Sequence, residues 1–201
     1  MKRFVGQTVF VTGTSFDFLG GENIRTIKYN GATGATIWNV AYNGDGNGSD
    51  VGHALAVDAA GNVAVTGNST DSAGGNNMRT IKYDGATGAM VWTAAVSGST
   101  GNAFFETGTA VAFDASGHVL VTGYVNESGQ ENNIRTVKYD GATGAVLWST
   151  TFNGPANSGD AGNAIAIDGA GHAIVTGTSI ETSQLSSIRT IKYHGITGAE
   201  L

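Results

Sequence analysis

The pair Thr12-Gly13 returns as Thr66-Gly67, Thr122-Gly123 and Thr176-Gly177, at almost equal intervals. The run from Ile24 to Tyr29 returns from Met78, Ile134 and Ile188 at the same intervals. Trp38, Trp92 and Trp148 keep that register too. A single period held by several separate motifs means that one supersecondary unit is used again and again. Its neighbours then bury what a single unit leaves exposed.

Each unit contains four short runs of strand character, well shown by the second copy. His53 to Val57 (strand A) is small and apolar. The DAAG turn from Asp58 to Gly61 follows, and Asn62 to Thr66 (strand B) is β-branched. After a loop from Asn68 to about Asn76 come Met78 to Tyr83 (strand C), the DGATG turn from Asp84 to Gly88, and Ala89 to Val96 (strand D) with Trp92. Strand-like runs separated by Gly- and Asp-rich turns predict an up-and-down four-stranded sheet. Several such sheets in series predict an all-β chain, a β-propeller. The alanines of strand A suit the crowded centre, where the blades converge.

Tyr83 to Trp92 (YDGATGAMVW) resembles the tryptophan-docking motif of quinoprotein-type propellers. Ala56 to Gly67 (AVDAAGNVAVTG) resembles the bacterial β-propeller repeat called SBBP. The likeness runs from Gln7 through nearly the whole chain. It implies blades of four antiparallel strands with the tryptophan wedged between neighbours. It says little about activity, because such repeats serve as scaffolds in varied settings.

The register divides residues 1–201, a single repeat domain, into blades of approximately 7–50, 51–106, 107–160 and 161–201. Copy one has no counterpart of strand A. Copy four reads up to Leu201, one position before the tryptophan that the register calls for. The expectation is about four blades, the first and last incomplete. They form either an open arc from a longer propeller or one half of a larger ring that a homodimer closes.

The chain has no cysteine, so disulfides, thiolate metal sites and a cysteine nucleophile are excluded. No apolar run reaches the roughly 18 residues of a membrane helix, so no membrane insertion is expected. Met1 to Gly6 carry Lys2 and Arg3 with no apolar segment behind them, and no signal peptide is read within the chain. Low charge with abundant Gly, Ser, Thr and Asn points to an extracellular, cell-surface or periplasmic protein. The net charge is −6. Apart from Lys2 and Arg3, every basic residue lies in strand C. That distribution lacks the basic patch of a nucleic-acid binder.

An up-and-down order puts the A–B and C–D turns on one edge and the B–C and D–A loops on the other. The turns are short and nearly alike between copies. The loops are longer and differ, so binding is expected there. The candidates are Phe16, Asp17 and Tyr124 in the B–C loops, and Phe104, Phe105 and Glu106 in a D–A loop. Asp45, Asn47, Ser49 and Asp50 bring oxygen side chains at close spacing, as calcium loops do. The glutamate that completes an EF-hand is absent, since position 56 is alanine. Calcium is thus the single cofactor candidate. His118 and His172 share one turn position, and His194 stands where Asp84 and Asp140 stand in other copies. No nucleophile elbow, triad or phosphate loop is present. The sequence leads to a non-enzymatic binding scaffold from a larger bacterial secreted or surface propeller protein, with a protein or glycan as partner. Its alternatives are a piece of a quinone-dependent dehydrogenase and a calcium- or glycan-binding lectin-like propeller.

Overall fold

The computed structural model describes residues 8–17, 21–98, 106–182 and 185–201. Fourteen strands form four antiparallel sheets among these residues. Blade 1 holds β1 (Thr8–Phe16), β2 (Glu22–Asn30) and β3 (Thr36–Tyr42). Blade 2 holds β4 (Asp50–Val57), β5 (Val63–Thr70), β6 (Asn76–Tyr83) and β7 (Met90–Val96). Blade 3 holds β8 (Thr107–Phe113), β9 (Val119–Asn126), β10 (Asn132–Tyr139) and β11 (Val146–Phe152). Blade 4 holds β12 (Ala161–Ile167), β13 (Ala173–Ile180) and β14 (Ser186–Tyr193). The chain is an all-β propeller whose strands run A, B, C, D in order. Among the described residues, blade 1 has no strand A and blade 4 no strand D. Strands B and C extend further into the loop edge than their apolar runs suggest. The added pairs are polar, such as Ser69 with Asn77 and Thr70 with Asn76.

The A strands of neighbouring blades pack against one another, which places them nearest the axis. Each carries a bulge opposite the Thr-Gly pair, between Gly52 and Ala54, Gly108 and Ala110, and Gly162 and Ala164. A bulge bends its strand and steepens the twist. Here it brings the A-strand carbonyl over the glycine of strand B. A β-carbon on Gly67, Gly123 or Gly177 would lie 1.8, 1.9 or 1.9 Å from the carbonyl oxygen of Val51, Thr107 or Ala161. Glycine is the residue that fits there. In blade 1 the described residues include no strand A, and a β-carbon on Gly13 would meet nothing within 4 Å.

The core lies between the blades, in three clusters. Ile24 and Trp38 of blade 1 pack on Val63, Val65, Ile81 and Tyr83 of blade 2. Met78 and Trp92 of blade 2 meet Val119, Val121, Val137 and Tyr139 of blade 3. Ile134 and Trp148 of blade 3 meet Val175, Ile191 and Tyr193 of blade 4. Every junction therefore joins unlike faces, an outgoing face with the tryptophan and an incoming face with the tyrosine.

Candidate functional site

The two edges of the blades are built differently. On the turn edge, Asp58, Asp114 and Asp168 each close the A–B turn by accepting the backbone N–H of Asn62, His118 or His172, at 2.8, 3.0 and 2.9 Å. Asp84 and Asp140 do the same for the C–D turn, accepting from Thr87 and Thr143 at 2.8 and 2.9 Å. In blade 4 His194 takes that place. Its Nδ1 accepts from the N–H of Ile196 and Thr197 at 3.4 and 3.3 Å, so an imidazole does the work of a carboxylate. His194 also lies against His172, ring centres 5.0 Å apart. The whole of strands B and C separates them along the chain, which hides that pairing in the sequence. Among the described residues no group of three or more His, Asp or Glu gathers as metal ligands.

The same edge ties each blade to the next. The indole N–H of Trp38, Trp92 and Trp148 donates to the carbonyl of Gly85, Gly141 and Gly195 in the following blade, at 3.1 Å each time. Lys28, Lys82 and Lys138 donate to the same three carbonyls at 2.5, 2.8 and 2.8 Å. Lys82, Lys138 and Lys192 also pair with the A–B turn aspartates Asp58, Asp114 and Asp168, at 3.9, 2.8 and 2.8 Å. One carbonyl thus collects two donors, and Lys82 and Lys138 are neutralised within their own blades. Open grooves of about 660 and 320 Å³ lie over the second and third junctions on this edge, lined by Lys82, Asp114, His118 and Asp140 in one and Lys138, His172 and His194 in the other.

These carboxylates set the acid response. Hydrogen bonding from Lys192, and next from the His172 N–H, lowers Asp168 from 3.8 to about 2. Burial pushes Asp114 up, but the Lys138 ammonium and the His118 N–H outweigh it and the net shift is downward. Asn77 and the Gly75 N–H lower Asp71. A carboxyl whose folded value lies below its unfolded one stabilises the fold above the unfolded value, and loses that contribution as the pH falls through the folded one. Glu106, raised by burial, works in the opposite sense. The lowered groups, which also include Asp84 and Asp140 through their hydrogen bonds from Thr87 and Thr143, outnumber it, so melting temperature is expected to hold from neutral pH to about 4 and to fall between about 4 and 2. Thermal melts across that range check this, and a flat profile would contradict it.

On the loop edge, the B–C loops open with an acid in every copy. Asp17 accepts from Gly21 N–H (3.3 Å) and Asn23 Nδ2 (3.1 Å). Asp71 accepts from Ala73 and Gly75 N–H (2.9 and 3.1 Å) and Asn77 Nδ2 (2.7 Å). Glu127 pairs with Arg135 at 2.9 Å, and Glu181 accepts from Ser187 at 2.6 Å. A second set closes the D–A loops. Buried Asp50 accepts from Gly44 and Thr70 N–H (2.5 and 3.1 Å), Glu106 from Gly98 and Asn126 (2.7 and 3.3 Å), and Asp160 from Gly154 and Ile180 (2.5 and 3.1 Å). Both sets follow the period of the repeat, the signal that marks them as loop braces. Loops 43–50 and 153–160 even share a frame, with Asn47 and Asn157 both at positive φ.

Of the calcium candidates, Asp50 is thus committed to backbone N–H groups. Ser49 donates to Glu22, Asn47 Oδ1 accepts from Asn43 at 2.8 Å, and Asp45 is exposed. Replacing Asp160 by alanine strands two buried N–H donors and is expected to cost about 2 kcal/mol. Asp45→Ala should stay within about 0.5 kcal/mol. Urea denaturation separates the two. Of the remaining candidates, Phe16 is 73% exposed and Tyr124 is half-buried. Phe104 and Phe105 lie outside the described residues. Glu106 reaches the end of β9 beside Tyr124, since Thr107 pairs with Tyr124 and Glu106 accepts from the Asn126 N–H, whereas Phe16 and Asp17 belong to blade 1.

The sequence reading also missed a rim groove of about 520 Å³ between blades 1 and 2. It runs from Asn43 and Asp45 in the D–A loop, past Tyr42 and Arg79, to Tyr83 and Met90. The Arg79 guanidinium lies over the Tyr42 ring, 5.5 Å from its centre. Its buried Nε and the Tyr83 hydroxyl have no hydrogen-bond partner among the described residues.

The family model described as outer membrane protein assembly factor BamB matches residues 22–185. The chain belongs to the BamB family. No protein in the curated set matches its sequence. Among solved structures, this BamB-family chain is similar to a europium-containing methanol dehydrogenase, with a TM-score of 0.63 and 17% identity over 98% of its length. It is also similar to a quinohemoprotein alcohol dehydrogenase from Comamonas testosteroni, with a TM-score of 0.62 and 17% identity over 90%. It spans 39% and 32% of those two chains. At such identity the likeness is one of fold.

Proposed function

We propose that the chain is a non-enzymatic binding scaffold that offers its B–C and D–A loop edge to a protein or glycan partner, in an extracellular, cell-surface or periplasmic setting. The observation that carries this reading is the division of the two edges. The turn edge repeats one set of blade-to-blade hydrogen bonds at all three junctions. The loop edge differs from blade to blade and exposes Phe16, Leu185 and the Arg79 groove. Loops held by internal braces can change their tips without loosening the blades, which is how scaffolds acquire partners. Membership in a family described by an outer-membrane assembly factor supports a protein partner and an envelope location. The SBBP likeness supports a bacterial surface or secreted parent.

A photo-crosslinking side chain at position 16 or 79 should capture a partner from envelope extract, while one at exposed Ala142 on the turn edge should not. Equal capture from both edges, or none from the loop edge, would overturn the reading.

The second reading, a piece of a longer quinone-dependent dehydrogenase, draws on the fold likeness to such enzymes. The donor set present here does not fit a metal-assisted quinone. The buried loop carboxylates Asp50 and Asp160 are turned onto backbone N–H groups, and the described Asp, Glu and His residues do not converge. Reconstitution with pyrroloquinoline quinone and calcium, read by dye reduction, tests it; turnover would replace the scaffold reading.

A further inference from the structure

An arginine holds one register position of strand C in every blade, and Arg25, Arg79 and Arg135 each have a described strand D beside them. Two of these are satisfied inside their own blade. Arg25 donates to Ser15 and Asn39 at 2.8 and 2.9 Å. Arg135 donates to Ser149 and Glu127 at 3.3 and 2.9 Å. Arg79 finds neither kind of acceptor. The place of Glu127 is held by Asp71, which accepts instead from Asn77 and from N–H groups of its own loop. The place of Asn39 and Ser149 is held by Thr93, whose hydroxyl donates to the Thr80 carbonyl at 3.3 Å. Half-buried Arg79 lies over the Tyr42 ring and lines the rim groove between blades 1 and 2 with its donors unused among the described residues. The partnerless Tyr83 hydroxyl lies in the wall of the same groove.

We propose that this groove binds a sugar acid, with the sugar's carboxylate on Arg79. A guanidinium held on a ring face presents a fixed fork of donors, and a carboxylate matches that fork with two parallel bonds. The groove, about 520 Å³, has the size of a small-ligand site. Its other walls suit a saccharide. Asn43 and exposed Asp45 supply oxygen acceptors for hydroxyl groups at the loop end, and Met90, 53% exposed, offers an apolar surface to the C–H face of a ring. The Asp45 carboxylate in the same groove opposes a phosphate dianion or a run of acidic side chains, so one negative group with hydroxyls around it fits best. The proposal rests on the binding-scaffold reading and names the ligand class for one stretch of its rim.

Calorimetric titration of the whole chain tests it, with a glucuronic acid–glucose disaccharide as probe. The disaccharide should bind saturably, and its neutral methyl ester at least about tenfold more weakly, because the ester loses the charge-assisted fork. Arg79→Lys should weaken the acid by about tenfold or more, since lysine keeps the charge and loses the bidentate geometry. Arg135→Lys, the same change where Glu127 already occupies the guanidinium, should leave binding unchanged. Met90→Trp fills the groove from an exposed position and should abolish binding even if the Arg79 variant fails to fold. No binding of the disaccharide, equal binding of its ester, tighter binding of hexaglutamate or galactose 1-phosphate, or wild-type affinity in a folded Arg79→Lys or Met90→Trp variant would overturn the proposal. Failure of this titration leaves partner capture at position 16 intact, and failure of that capture leaves the titration standing.

Discussion

Replacing Trp92 with alanine is expected to lower the unfolding free energy by about 3–5 kcal/mol, the range for deleting a buried large aromatic side chain. Trp92 is 7% exposed. Its ring packs on Tyr139 at a centroid distance of 5.6 Å and lies over Gly144. Its N–H ends on the Gly141 carbonyl. The alanine variant leaves a cavity between blades 2 and 3 and takes one of two donors from that carbonyl. Lys82 remains, so the loss comes mainly from packing. Trp38→Ala and Trp148→Ala should fall in the same range, because the three junctions repeat one geometry. Urea denaturation followed by tyrosine fluorescence measures all three. A loss under about 1 kcal/mol at any of them would mean that its indole is not buried between blades.

Gly123→Ala is the second large effect, and it carries its own control. The added methyl would sit 1.9 Å from the Thr107 carbonyl oxygen, on the backbone of a paired strand that cannot swing aside. Strands β8 and β9 would have to separate at the bulge. A cost of about 3 kcal/mol is expected, at the upper end for overpacking a close-packed site. Gly13→Ala makes the same chemical change at the same register position in blade 1, where no described strand A lies opposite. That variant should be neutral within about 0.5 kcal/mol, or slightly stabilising through the unfolded chain. Equal losses at the two positions would show that the glycine answers to the strand itself rather than to its neighbour.

The Thr-Gly pair shows how much of the architecture was open to sequence reading. Its regular return marked the blades, and the apolar runs around it marked strands B and C. What it could not show is the bulge across from it, because a bulge depends on how two strands pair and not on either alone. The same limit explains the lysines. Lys28, Lys82 and Lys138 recur beside the tryptophans in register, yet their shared acceptor is a backbone carbonyl in the next blade, which no residue type announces. The loop acids make a subtler case. Asp50, Glu106 and Asp160 keep the period, and that period is what separates a brace from a free loop acid, but a tally of loop charge groups them with Asp45. Arg79 escaped notice for another reason. All four copies have an arginine there, and the ring it lies on, Tyr42 for Arg79 and Phe152 for Arg189, belongs to the preceding blade.

The three junctions share one geometry, and the indole N–H signals of Trp38, Trp92 and Trp148 report on each directly. A ¹⁵N-labelled sample should give three resolved indole peaks. After transfer to deuterated water all three should decay slowly and at similar rates, since each proton is buried and bonded to a glycine carbonyl. An indole proton that exchanges as fast as free tryptophan would contradict the shared junction and, with it, the division between a closed turn edge and an open loop edge.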